Sequence, residues 1–119
     1  MLHLATITAR HARFRPDHTA VVFDGVRLNW CDFDVRVNHL VNALHALGLR
    51  KGDAVALLLP NCLELIELYW AAATSGIVVV PLSPLLRGAG LQSLVRDSGA
   101  KALIATHDSI AVIEEVRRD

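Results

Sequence analysis

The sequence predicts an α/β chain whose second half is a parallel βαβαβ unit, and three observations predict it. Apolar runs of strand length stand at Ala54–Leu59, Ile77–Val80 and Ala102–Ala105, continuous rather than alternating, as in strands covered on both faces. Segments with helical spacing lie between them, at 62–74 and around Leu91, Leu94 and Val95. Gly76 and Ser98-Gly99 then stand where those helices must stop. Strands alternating with helices imply parallel pairing through right-handed crossovers.

From the start of the chain, residues 3–14 carry Leu4, Ile7 and Phe14 among alanines and arginines, the pattern of an amphipathic helix that Pro16 and Asp17 stop. Ala20–Phe23, Asp24-Gly25 and Val26–Leu28 form a hairpin signal, because Asp-Gly supplies the positive φ angles of a two-residue turn. Asn29 is the expected N-cap of the next helix, with Asp32 at the answering position. Over 30–47, Phe33, Val37, Leu40, Val41, Leu44 and Leu47 share one face, and Gly48 ends the helix. After the strand at 54–59, Pro60 closes the run, Asn61 is the expected cap and Glu64 its reciprocal partner. The helix at 62–74 is apolar nearly all round, with Glu64 and Glu67 its only charges and Ala71–Ala73 small enough for close approach to a sheet. Ile77–Val80 reads as a second buried strand stopped by Pro81 and Pro84, and 110–116 as a last helical segment.

These elements compose a Rossmann-like three-layer unit preceded by a helix and a β-hairpin. The chain ends in a helical stretch without a Gly or Pro stop, and residues 1–119 read as an incomplete subdomain of a larger fold. An apolar content of 53% with 20% charged residues excludes a disordered tail, and no apolar run is long enough for a transmembrane helix. A mean hydropathy of +0.39 leaves apolar surface to be covered by other protein, either the remainder of a parent chain or a second copy. Twelve basic residues balance twelve acidic ones, and no extended basic face is present, so nucleic acid is not an expected partner. Arg10, Arg13, Arg15, Arg117 and Arg118 read as solvated helix ends. Two cysteines without a CxxC pattern, and no secretory leader at the amino terminus, point to a cytoplasmic, reduced chain.

Few residues carry chemistry. His39 and His45 are six apart on one helix, hence on different faces, and His3, His11, His18 and His107 are scattered, so no metal site is expected. Cys62 sits in a first helical turn, where a thiol can be activated, but no His or Lys neighbours it in sequence and the helix reads as buried, so a packed cysteine is the expectation. The turn Pro60-Asn61-Cys62 has no glycine and cannot wrap backbone amides around a phosphate. Gly88 and Gly90 make a GxG with no third glycine in register.

Leu28–Phe33, the helix ending at Leu47-Gly48, Lys51-Gly52-Asp53-Ala54-Val55, Pro60-Asn61, Glu64 and the run from Gly76 to Pro81 follow one another in a familiar order. From about Leu2 to its end, the chain resembles the amino-terminal part of the adenylate-forming acyl-CoA synthetases, the AMP-dependent synthetase/ligase family with fatty-acid–CoA ligases. The family pattern there is LTYxEL…LxxLGxxxGDxVA…NxxE…GxxxxPxxP. Asn29, Trp30 and Phe33 replace its usual Thr, Tyr and Leu, preserving a cap and two core anchors.

The resemblance implies a much longer parent enzyme that uses MgATP to convert a carboxylic acid, fatty acids included, to an acyl-adenylate, and then passes the acyl group to coenzyme A. Its phosphate loop, metal-binding acid, ribose-binding Asp and late lysine have no counterpart in this chain. Thr74-Ser75-Gly76 imitates the start of the phosphate loop but ends a helix and runs straight into a strand. No catalytic residue, no metal ligand and no cofactor bound by this chain alone is therefore expected. One residue is a candidate: where relatives place an arginine near coenzyme A this chain has Leu85, and Arg87 could take its place on that rim or be a solvated arginine before a helix. The alternative to an inactive scaffold is a free-standing α/β interaction module that binds a partner through its apolar face.

Overall fold

The computed structural model describes residues 3–117. Helix α1 (Ala5–Phe14) leads to a hairpin of β1 (Thr19–Phe23) and β2 (Val26–Asn29), then to α2 (Trp30–Ala46). Next come β3 (Ala54–Leu58), α3 (Leu63–Ser75), β4 (Val78–Leu82), α4 (Gly88–Ser98), β5 (Ala102–Ala105), a 3₁₀ turn at His107–Ser109 and α5 (Ile110–Arg117). The hairpin is a two-stranded antiparallel sheet of its own. The other three strands pair in parallel in the order β4–β3–β5. The α/β class, the parallel sheet and the preceding helix and hairpin are those the sequence predicts.

Local chemistry explains the joints. Asp24 and Gly25 adopt φ of 47° and 76°, so Phe23 pairs directly with Val26 across a two-residue turn. Asn29 Oδ1 accepts the Asp32 N–H at 2.8 Å, the forward half of the expected capping box. At the other end of α2, Gly48 N–H donates to the His45 carbonyl (2.9 Å) and Leu49 N–H to the Leu44 carbonyl (3.2 Å). That pair of bonds is the Schellman closure, and it turns Leu49 into the core.

The core is layered by strand alternation. Val55, Leu57 and Leu59 share one cluster with Phe33, Val37 and Leu44 of α2 and Leu68, Ala71 and Ala72 of α3. Ala56 and Leu58 are equally buried but lie outside that cluster. They face the opposite side of the sheet, where α4 packs on β3 and contributes the buried Leu91. Central β3 is thus covered on both faces, as its continuous apolar run requires. α1 completes the first layer by packing on α2 and α3, with the His11 ring 4.6 Å from that of Trp30.

Four expectations need correction. β4 is not stopped by Pro81; it pairs Pro81 with Leu57 and runs on to Leu82. Nor is it buried: as an edge strand it leaves Val78 52% exposed, because only β3 flanks it. Asn61 does not cap α3. Cys62 takes the N-cap position with an extended backbone and no side-chain bond, which lets Leu63 reach the core while Asn61 and Glu64 stay exposed. Helical spacing also overstates two core faces, since Leu47 at the end of α2 is 68% exposed and Phe14 of α1 is 67% exposed.

Candidate functional site

The chemistry-bearing side chains gather at the two ends of the parallel sheet, and the ends differ. At the amino end, Lys51-Gly52-Asp53 forms a turn that ties all three strands together. Asp53 Oδ2 accepts the Arg50 N–H at 2.8 Å, and Oδ1 lies 2.8 Å from Lys101 Nζ at the start of β5. The Asp53 carbonyl accepts the Val78 N–H of β4 (2.8 Å), and Gly52 N–H donates to the Gly76 carbonyl (2.9 Å). The hydrogen bond from Lys101, and after it the one from the Arg50 amide, holds the Asp53 carboxyl below its ordinary range. Gly76 itself has φ of 74°, and a Cβ there would stand 2.7 Å from Lys51 Cγ. Only glycine meets both conditions.

A second ion pair lies in the helical layer. Glu67 is 3% exposed, on the inner side of α3. Its Oε1 is held by Arg36 of α2 through Nη2 at 2.7 Å and Nε at 2.9 Å. The hydrogen bond to Glu67 outweighs burial and raises the Arg36 guanidinium above its ordinary value. Sequence reading registered Glu67 as a charge on an apolar helix but not its partner, 31 residues away. A lone acid on a buried helical face was the available signal, since such a group needs a cation.

At the carboxyl end the loops are open. The Ser83–Arg87 segment leaves β4 with Leu85 85% exposed. Arg87 occupies the N-cap position of α4, exposed, and its Nη1 donates to the Pro84 carbonyl at 2.5 Å and the Leu86 carbonyl at 2.7 Å. Its guanidinium therefore holds its own loop in shape. The Leu59–Cys62 turn after β3 and the Thr106–Ser109 turn after β5 complete this rim. Neither of these two turns carries a glycine-rich cradle for a phosphate.

The remaining candidates separate. Thr74 and Ser75 hydroxyls donate back to the Trp70 and Ala71 carbonyls within α3, at 2.8 and 2.7 Å. Cys62 is half-buried and Cys31 exposed, both with free thiols. Among the described residues, no three His, Cys, Asp or Glu side chains converge as a metal site. Among the described residues, too, no helix is long and apolar enough to cross a membrane. A cleft of about 480 Å³ on α1 is lined by Ile7, Arg10, His11, Phe14 and Arg15, and none of these comes from the strand-end loops.

The fold recurs in known proteins. The sequence profile of the AMP-binding enzyme family matches residues 8–119. The chain belongs to that family. It is 37% identical over 92 residues to the long-chain-fatty-acid–CoA ligase FadD13 of Mycobacterium tuberculosis, covering 77% of this chain and 18% of the relative. It is 40% identical over 103 residues to a feruloyl-CoA synthase of an Amycolatopsis species, covering 87% of this chain and 21% of the relative. The chain thus spans about a fifth of the length of these curated relatives. The solved N-terminal domain of FACL13 from M. tuberculosis superposes on all of it with a TM-score of 0.93 at 32% identity, and the chain covers 31% of that structure. A fatty acyl CoA synthetase structure from M. tuberculosis matches 98% of the chain at a TM-score of 0.92 and 32% identity, with 24% of its own length covered. This segment of the AMP-binding family corresponds to the amino-terminal part of those proteins.

Proposed function

We propose that residues 1–119 are the amino-terminal subdomain of an acyl-CoA synthetase and act in it as scaffold. The parent enzyme joins a carboxylic acid, of fatty type, to coenzyme A in two steps. The acid's carboxylate attacks the α-phosphorus of MgATP and pyrophosphate leaves; the thiol of coenzyme A then displaces AMP from the acyl-adenylate. The observation that carries this reading is the coincidence of family, fold and an amino end tied by Lys51-Gly52-Asp53. The turns after β3 and β5 supply no phosphate cradle, so no step of that reaction is assigned to the described residues.

What this segment contributes is position. Its tied sheet holds the carboxyl-end loops in place, and in open α/β sheets ligands sit outside the carboxyl ends of the strands. Arg87 stands on that rim and is assigned to the coenzyme A side, where exchanging its two carbonyl contacts for a phosphate would retain hydrogen bonding and add charge. The setting is cytoplasmic, in keeping with two free cysteine thiols. The partner is the remainder of the enzyme.

The test replaces the aligned amino-terminal fifth of FadD13 with this chain. A chimera that forms acyl-CoA within about tenfold of the FadD13 rate supports the reading, a tolerance of about 1.4 kcal/mol. A soluble, folded chimera with no acyl-CoA formation overturns it. A second reading, a free-standing interaction module, is favoured by the exposed Val78 and Leu85, and a monodisperse isolated chain that captures a partner while the chimera stays inactive supports it instead.

A further inference from the structure

Charge is spread evenly over this chain except on α1. Arg10, Arg13 and Arg15 follow one another closely, no acidic residue lies among residues 3–16, and all three arginines are exposed. Other arginines are engaged: Arg27 bonds Thr19, Arg36 bonds Glu67, and Arg50 and Arg87 bond nearby carbonyls. Among the described residues, the guanidiniums of Arg10, Arg13 and Arg15 have neither a hydrogen bond nor a salt bridge. The Phe14 ring, 5.3 Å from the Arg13 guanidinium carbon, is the one group set against this charge.

The cleft of about 480 Å³ on this helix arranges that charge around an apolar floor. Arg10, His11 and Arg15 border it, and Ile7 and Phe14 supply its carbon surface. Ile7, His11 and Phe14 follow at spacings of four and three, which makes them one ridge of the helix, and Arg10 stands beside it. The ridge is anchored, because the His11 ring stacks on that of Trp30 at the start of α2. Phe14 is left facing water. An exposed aromatic ring beside arginines with no anion is the composition found at the centre of protein interfaces.

Shape selects the occupant. A bilayer takes up a helix by its free apolar face, and on α1 that face is committed, since Thr8 is buried and the helix packs on α2 and α3. The exposed Leu4 and Phe14 stand at opposite ends of the helix, about 15 Å apart along its axis. An inorganic anion would leave the carbon floor bare. A segment with carboxylates on either side of one apolar side chain meets both needs. Its side chain fills the cleft, and its carboxylates pair with guanidiniums that receive them in bidentate geometry.

We propose that the α1 cleft is a docking site for an acidic segment of a separate protein, which inserts an apolar side chain between Ile7 and Phe14 and sets its carboxylates on Arg10 and Arg15. None of these residues belongs to the strand-end loops, so the proposal does not depend on the synthetase reading.

The probe is a short fluorescein-labelled helical peptide of glutamate, leucine and one phenylalanine, titrated into the isolated chain and into the FadD13 chimera. It binds both with saturation, one peptide per chain, and more weakly as salt rises. Amide-resolved NMR of the isolated chain places the shifts on residues 7–15. Arg10→Glu combined with Arg15→Glu weakens binding by roughly tenfold or more, and Phe14→Ala by roughly tenfold, with urea midpoints close to wild type. Equal binding by a scrambled peptide of the same composition overturns the proposal, as does binding that survives the double charge reversal. Binding to the isolated chain but not to a folded chimera also overturns it, because the remainder of the enzyme then covers the cleft. So does dimerisation of the chain that the same reversal abolishes, which makes a second copy the occupant. If the peptide stays unbound while phosphatidylglycerol vesicles bind through these arginines, the surface meets lipid and the proposal fails.

Discussion

The amino and carboxyl ends of the parallel sheet are built from the same three strands and behave as opposites. At the amino end, the bonds of Asp53, Lys101, Gly52 and Gly76 fix each strand start to its neighbour. At the carboxyl end, Leu85 projects into solvent and Arg87 bonds only to its own loop. Of the motifs on which the resemblance rests, Lys51-Gly52-Asp53 and Gly76 belong to the tied end, whereas Pro60-Asn61, Glu64 and Pro81 lie toward the open one.

Substitutions at the two ends break or sharpen this contrast. The largest effect is expected for Gly76→Ala, which forces an L-residue to φ of 74° and drives a Cβ into Lys51. The left-handed strain alone is worth about 1–2 kcal/mol, and urea unfolding of the isolated chain should register at least that. Adding Lys51→Ala removes the Cγ contact and should recover part of the loss. Full recovery would mean that the φ angle carries no strain, and no recovery that Lys51 is not the obstacle.

Arg36→Ala comes next. It strands the Glu67 carboxylate in the helical layer, and although breaking a fully buried pair costs about 3–5 kcal/mol, the half-exposed Arg36 lets water in and reduces this to about 1–2 kcal/mol. Glu67→Gln in the same assay should cost less than Arg36→Ala, because an amide oxygen still accepts from the guanidinium. The reverse order would remove the buried carboxylate as the cause.

Asp53→Asn follows, with a pH signature in place of a fixed size. The folded carboxyl is held below its ordinary value, so its stabilisation is present above the unfolded pKa and is lost as the pH falls through the folded one. The gap in urea midpoint between wild type and Asp53→Asn should therefore be open at neutral pH and narrow below about pH 4. An equal gap at both values would contradict the pairing with Lys101.

The smallest stability effect is expected at the open end. Arg87→Ala should stay within about 0.5 kcal/mol of wild type in unfolding. In the chimera it should raise KM for coenzyme A by roughly fivefold with kcat unchanged, the mark of lost ground-state binding. A change in kcat alone would place Arg87 elsewhere.

The scaffold was largely legible from sequence because its signals are local. Asp24-Gly25 fixed the hairpin, Gly48 and Gly76 fixed helix ends, and the apolar run Ala54–Leu59 pointed to a strand covered on both faces, which the structure ends at Leu58. What escaped depends on neighbours distant in sequence. The edge position of β4 cannot be read from Ile77–Val80, whose composition matches a central strand, and Pro81 looked like a stop because its N–H side was unknown. The Arg36–Glu67 pair joins two helices through a contact without periodicity. Asn61 obeyed the capping rule on paper and lost the position to Cys62, whose extended backbone lets Leu63 into the core. Of the candidate site, Arg87 was found through resemblance alone, because a single exposed arginine before a helix carries no spacing signal.

Acid-dependent exchange between ATP and pyrophosphate, measured side by side on the isolated chain and on the FadD13 chimera, bears most directly on the scaffold reading. The expected result is exchange by the chimera at enzyme-like turnover and none by the isolated chain. Turnover by the isolated chain, or a folded chimera with none, would contradict it.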